Sequence, residues 1–197
     1  MGRSPLSWLP TIKRFRDRGY KTFSFKYSVA RQDFPAIVHR LTNFLDEIGR
    51  AGPYIAIGHS LGGVLLRTAI DQIGNTEHLP KKLFLLGSPV HHSKIAFKLQ
   101  RNPVFQVFTQ DCGQLLSSSK RMACIPKSRV PTLAIIGNKG LKGKFSPFGT
   151  ETNDGIVSES ETTADWFQET VKVPVIHSIL PSSKKVADAI FSILQRS

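Results

Sequence analysis

Residues Tyr54–Ile70 read YIAIGHSLGGVLLRTAI, and the fold turns on how that stretch changes character at its middle. Tyr54 to Ile57 is short, β-branched and aromatic, the composition of a buried strand. From Leu61 to Ile73 the apolar residues Leu61, Val64, Leu65, Ala69 and Ile73 recur at helical spacing. Gly58-His59-Ser60-Leu61-Gly62 therefore lies on a strand-to-helix turn. A serine hydroxyl is a poor nucleophile unless a base takes its proton and a further group holds that base. It must also stand clear of the backbone, which a sharp turn achieves when small residues flank it two positions away. Gly58 and Gly62 occupy those positions around Ser60, and the positive end of the helix dipole falls at the same point. Ser60 is the candidate nucleophile.

The alternation continues to both sides. Leu6 to Arg18 carries Leu6, Leu9, Ile12 and Phe15 at helical steps and stops at Arg18-Gly19. Thr22 to Tyr27 alternates Phe23, Phe25 and Tyr27 and reads as a strand. Phe34 to Ile48 places Ile37, Leu41, Phe44, Leu45 and Ile48 on one helical face. Leu83 to Leu86 and Thr132 to Ile136 are apolar strands, ended by Gly87-Ser88-Pro89 and by Gly137. Val171 to Ile176 reads as the last strand in spite of Pro174, and Ser182 to Leu194 as a closing helix. Strands alternating with helices predict an α/β fold, a mainly parallel sheet with helices on both faces. The 197 residues suit a single domain over 1–197.

One stretch breaks the pattern. Val90 to Ser128 has no strand and mixes basic residues with Ile95, Phe97, Leu99, Val104, Phe105, Val107 and Phe108. An insertion of this length after a strand end is usually functional. It is expected to form a small, mostly helical cap over the serine at about 90–128. Phe97, Phe105 or Phe108 would line an acyl site, since ester pockets are mainly hydrophobic.

If Ser60 on such a turn is the nucleophile, an acid and then a histidine are expected after it, at later strand ends. Of the six histidines, His39 lies on a helix and precedes Ser60, and His59 sits inside the turn, where packing is the simpler reading. His78 is in a polar loop, and His91-His92 open the insertion. His177 follows the last strand directly before the closing helix and is the candidate base. Asp154, in the turn-rich TETNDGIVSESE, is the candidate acid, because Asp-Gly makes a tight turn that can present a carboxylate. Glu151 and Glu159 are fallbacks; Asp165 reads as a surface residue.

Charge and cysteine content narrow the remaining classes. The net charge is +13, and between Leu79 and Thr150 twelve Lys or Arg face a single acid, Asp111. A basic middle of this kind can meet an anionic membrane surface or an acidic substrate, or serve only solubility. Nucleic-acid binding is not expected, because the phenylalanines have the spacing of inward packing rather than of exposed stacking platforms. Gly137–Phe145 (GNKGLKGKF) falls short of a phosphate loop, with Lys142 in place of the second glycine. His91 and His92 with Cys112 or Cys124 lack metal-ligand spacing, so neither metal nor cofactor is expected. Two cysteines are too few for a disulfide framework and read as free thiols. With no apolar run near a membrane span and no secretory signal in Met1 to Tyr20, a cytoplasmic location is expected.

In this order the motifs resemble those of the α/β-hydrolase superfamily, and within it of bacterial lipase-like and esterase-like members. GHSLGG resembles their nucleophile elbow, GSPVHHS their post-strand loop, NDGIVS their acid loop and VIHSIL their histidine loop. The likeness covers nearly the whole chain. It implies a Ser60–His177–Asp154 triad in which the serine attacks an acyl carbonyl, the histidine acts as base and then acid, and the carboxylate fixes its tautomer. It also implies an oxyanion hole formed by the backbone N–H of Leu61 and a donor at the position of Met1. In such proteins a strand ending in His-Gly precedes the region matching Met1–Pro10. That strand is absent from this chain, so the sheet is expected to lack a central strand, as in an internal start or a degenerate relative. His92 stands where a glycine is usual, so the start of the insertion is expected to differ.

The expected function is a serine hydrolase of carboxylic esters, on a small-molecule or lipid ester. An acyltransferase or thioesterase could use the same residues. A non-catalytic binding protein on the same fold is the alternative outside enzymes.

Overall fold

A strand buried on both faces must be apolar along its length, and the LFLL run at 83–86 and the LAIIG run at 133–137 meet that demand. A computed structural model of the chain describes residues 5–99, 101–144 and 146–196, with backbone only at 5 and 103–108. It contains four parallel strands in the order β1 (Ile55–His59), β2 (Lys82–Leu86), β3 (Thr132–Gly137) and β4 (Glu169–Val173). The register sets His59 beside Leu86, Leu86 beside Ile135, and Gly137 beside Val173. The carboxyl ends of all four strands thus emerge along one edge of the sheet.

Side-chain alternation sends the two faces of the sheet into separate cores. Leu83 and Leu85 pack with Val64, Leu65 and Ile70 of α3 (Leu61–Gln72) and Ile37, Leu41 and Leu45 of α2 (Phe34–Ala51). Phe84, Leu86 and Ile135 pack with Phe15 of α1 (Leu9–Arg16) and with Val186, Ile190 and Phe191 of α8 (Lys184–Gln195). Helices therefore cover both faces, and the chain has the α/β fold expected from its pattern.

Local chemistry moves several boundaries. The first helix is split: a 3₁₀ turn spans Pro5–Trp8, and α1 begins only at Leu9, with Pro10 in its first turn, where proline costs nothing. The strand expected at Thr22–Tyr27 is not one. The segment pairs with no strand among the described residues, and Phe25 and Tyr27 pack instead against Phe44 and the α2–α3 core. A hydrophobic alternation can ask for a buried face, but a ladder also needs a neighbour. β4 stops at Val173 rather than Ile176, because Pro174 has no N–H to give the ladder.

The insertion is mostly helical: α4 (Lys94–Leu99), α5 (Pro103–Ser117, broken at Gln110, where φ is 41° and ψ −134°) and α6 (Ser119–Ala123). Its buried residues Ala96, Cys112, Leu115, Leu116 and Met122 join the α2–α3 core. Polar ties hold it there. Asp111 Oδ2 accepts from Phe34 N–H at 3.1 Å, and Gln110 Nε2 donates to Ala30 at 3.0 Å. The buried Arg67 of α3 donates to the carbonyls of Ile125 and Pro126. Cys112 is buried and Cys124 exposed, and both are free. No helix among the described residues is long and apolar enough to cross a membrane.

Candidate active site

Ser60 links β1 to α3 at φ 54° and ψ −127°, one of two non-glycine residues with positive φ among those described. Such a conformation costs about 1–3 kcal/mol and persists only where the surroundings enforce it. They do so through close packing. A Cβ on Gly58 would lie 2.7 Å from Gly63 Cα, and one on Gly63 would collide with Ser88 Oγ. Ser88 is itself buried and donates to Gly58 O at 3.2 Å. Gly62 is different, since a Cβ there would meet only Tyr27 Oη at 3.9 Å. The steric demand of the turn thus falls on Gly58 and Gly63 rather than on the expected pair Gly58 and Gly62. Ser60 N–H donates to Leu86 O at 3.0 Å, which seats the turn against the end of β2.

His177 and Asp154 meet beside that point. His177 Nδ1 lies 2.6 Å from Asp154 Oδ2, with both side chains buried. The pair is framed by main chain. Asp154 Oδ1 accepts from the N–H groups of Ile156 (3.0 Å) and Val157 (2.9 Å), and Asp154 O accepts from His177 N–H at 2.9 Å. Each bond removes a freedom the carboxylate would otherwise have. Gly87, the residue after Leu86, presses on the pair: a Cβ there would stand 2.9 Å from Asp154 Oδ2 and 3.2 Å from His177 Nδ1. Gly137 closes the other side, where a Cβ would come 2.8 Å from Asp154 Cβ. Among the described residues no hydrogen bond joins the Ser60 hydroxyl to His177. Such bonds are often long before substrate arrives.

Two residues with structural parts were not singled out from sequence. Glu161, buried, accepts through its side chain from Ser158 N–H at 2.6 Å and from Lys94 N–H. Its carbonyl accepts from Val90 N–H at 2.8 Å and His91 N–H at 3.3 Å. One residue thereby clamps the start of the insertion to the loop carrying Asp154. The capping box from Ser158 to Glu161 on α7 (Glu159–Thr162) is the sequence signal that could have shown it. Gly87 had a signal too, as a glycine directly after an all-apolar strand.

The remaining candidates separate. Glu151 pairs with Lys94 at 2.7 Å, Glu159 with Lys172 at 2.6 Å, and Asp165 is an exposed residue 3.9 Å from Lys127. Leu61 is the first residue of α3, and its N–H belongs to the opening turn, where the helix offers no internal acceptor. Met1 lies outside the described residues, as do the side chains of Phe105 and Phe108. Phe97 is 55% exposed on α4. An open depression of about 550 Å³ lined by Val90, His91, Lys127, Ala164, Asp165 and Trp166 includes none of Ser60, Asp154 and His177. Among the described residues no cluster of His, Cys, Asp and Glu is arranged to hold a metal ion.

Fold comparisons agree with this architecture. The Bacillus licheniformis lipase BlEst2 in mature form superposes with a TM-score of 0.75 at 20% identity, over 98% of this chain and 88% of that one. Tomato methylketone synthase I complexed with 2-tridecanone gives 0.65 at 12% identity, over 98% and 94%. A pyrethroid hydrolase from Sphingobium faniae JZ-2 gives 0.57 at 13% identity, over 96% and 92%. At these identities the likeness is one of fold. No protein-family model matches the chain, and no curated protein matches it in sequence.

Proposed function

We propose that this protein is a serine hydrolase of carboxylic esters, with Ser60 as nucleophile, His177 as base and Asp154 as the acid that orients it. The reading is carried by the 2.6 Å Asp154–His177 contact, buried at the strand ends beside a serine held at positive φ. Asp154 accepting from Nδ1–H leaves Nε2 of His177 to take the Ser60 proton as Oγ attacks the acyl carbon. The oxyanion then forms next to the start of α3, where Leu61 N–H and the helix dipole favour negative charge. The position of Met1 is the proposed second donor. His177 returns the proton to the departing alcohol, and water repeats the sequence to release the acid. The chemistry calls for no cofactor.

Two of these fold relatives are named as a lipase and a hydrolase, which supports a small-molecule or lipid ester as substrate. One is a methylketone synthase, so the fold alone does not set the reaction. The test is labelling of the full chain with a fluorophosphonate probe, alongside hydrolysis of a soluble short-chain nitrophenyl ester. Both activities are expected, and both are expected to vanish in Ser60→Ala. Label that survives Ser60→Ala would move the nucleophile elsewhere. Absence of label and turnover in the unmodified chain would favour a binding protein built on the same fold.

A further inference from the structure

Resting on that reading of the site, we propose that the strand-end face around Asp154 and His177 is a docking surface for an anionic lipid bilayer. Parallel strands deliver the loops after β3 and β4 to one edge, and those loops leave large aliphatic side chains in solvent. Leu141 is 75% exposed, and Ile156, Ile176 and Ile179 are exposed as well. Main-chain links join them to the pair. Leu141 O accepts from Asn153, the neighbour of Asp154; Ile156 N–H donates to Asp154; and Ile176 and Ile179 flank His177 in sequence. The turn that carries Leu6, 69% exposed, packs against the His177–Ser182 turn. Exposed leucines and isoleucines are ordinary when scattered. Here they gather around one site.

Some cations of this edge are neutralised and others are not. Lys94, Arg121 and Lys172 are neutralised by Glu151, Asp111 and Glu159. Lys139, Lys142 and Lys144 bracket Leu141 and form no ion pair among the described residues; Lys142 only donates to the Thr152 hydroxyl. The nearby acids are engaged, Asp154 with His177 and Glu151 with Lys94 and Ser160. Aliphatic side chains that can enter the acyl boundary, ringed by lysines that meet headgroup phosphates, are the ingredients of interfacial binding. A protein partner would favour aromatic and arginine anchors, and a single-stranded nucleic acid would favour aromatic stacking. The patch offers neither.

The test uses the full-length Ser60→Ala chain, co-sedimented with vesicles of phosphatidylcholine alone or mixed equally with phosphatidylglycerol. Binding to the mixed vesicles is expected, with much less to the neutral ones and a marked loss at high salt. Lys139→Gln, Lys142→Gln and Lys144→Gln together are expected to weaken it about a hundredfold, at about fivefold per lysine. Ile179→Asp and Leu141→Asp, each checked for an unchanged circular dichroism spectrum, are expected to weaken it about tenfold or more. Equal binding to both vesicles, no binding, or binding indifferent to both sets of variants would overturn the proposal. The unmodified chain separates the two readings. Ester hydrolysis without vesicle binding overturns the surface alone, whereas vesicle binding without hydrolysis or labelling overturns the catalytic reading alone.

Discussion

His59 Nε2 lies 3.0 Å from the carbonyl oxygen of His177, and the two rings meet at 4.5 Å between centroids. A carbonyl only accepts, so the hydrogen of this bond sits on His59 Nε2. The histidine inside the turn, read from sequence as a packed residue, thus holds the main chain of the proposed base. His59→Ala is expected to lower kcat on a soluble ester by about ten- to a hundredfold, with KM little changed, since small misplacements of a base are costly. Steady-state kinetics would show it. An unaltered kcat would reduce His59 to filler.

The two glycines after Leu61 should respond in opposite ways to a methyl group. Gly62→Ala has room and gains helix propensity, so its stability is expected to be equal to or up to about 1 kcal/mol above that of the parent. Gly63→Ala would drive a methyl into Ser88, which is locked to Gly58, and is expected to lose about 1–3 kcal/mol. Urea unfolding of the two variants would check the order.

Thiol chemistry should distinguish the cysteines. Burial pushes the Cys112 thiol up to about 12, and the Asp111 carboxylate adds to the effect. At neutral pH Cys112 is therefore protonated and shielded, while Cys124 is exposed. One equivalent of a disulfide reagent is expected to react with the folded chain and two after denaturation. Cys124→Ser should abolish the first.

Acid stability should carry the mark of Glu151. Burial raises its carboxyl pKa, but hydrogen bonds from Lys94 and Ser160 outweigh that and hold it at about 2, against an ordinary 4.5. A depressed pKa gives stability that is present above pH 4.5 and lost as pH falls toward 2. Glu151→Gln is expected to melt below the parent at pH 7 and to converge with it near pH 2. Thermal melts across that range would reveal the closing gap. A gap independent of pH would mean that the Lys94 contact contributes nothing.

The strand-to-helix turn was legible because its determinants are local. An apolar run, a glycine-framed serine and a 3.6-residue period all fall within Tyr54–Ile70, and no distant residue is needed to read them. The order Ser60, Asp154, His177 along the chain and the apolar runs of β2 and β3 were legible for the same reason, as were the glycines that close those two strands, Gly87 and Gly137. Long-range pairing was not. The alternation of Thr22–Tyr27 describes a face to be buried, and whether a ladder forms depends on a neighbour the local pattern does not name. The boundary of β4 hung on one missing N–H at Pro174. Which glycine carries the steric load, Gly62 or Gly63, depends on Ser88, which reaches the turn from the end of another strand. The buried clamp at Glu161 joins segments some seventy residues apart, and Gly87 matters only because Asp154 and His177 converge on it. Periodicity and turn chemistry act between neighbours in sequence. Contact distances, burial and the pairing of charges arise only when segments remote in sequence are packed together.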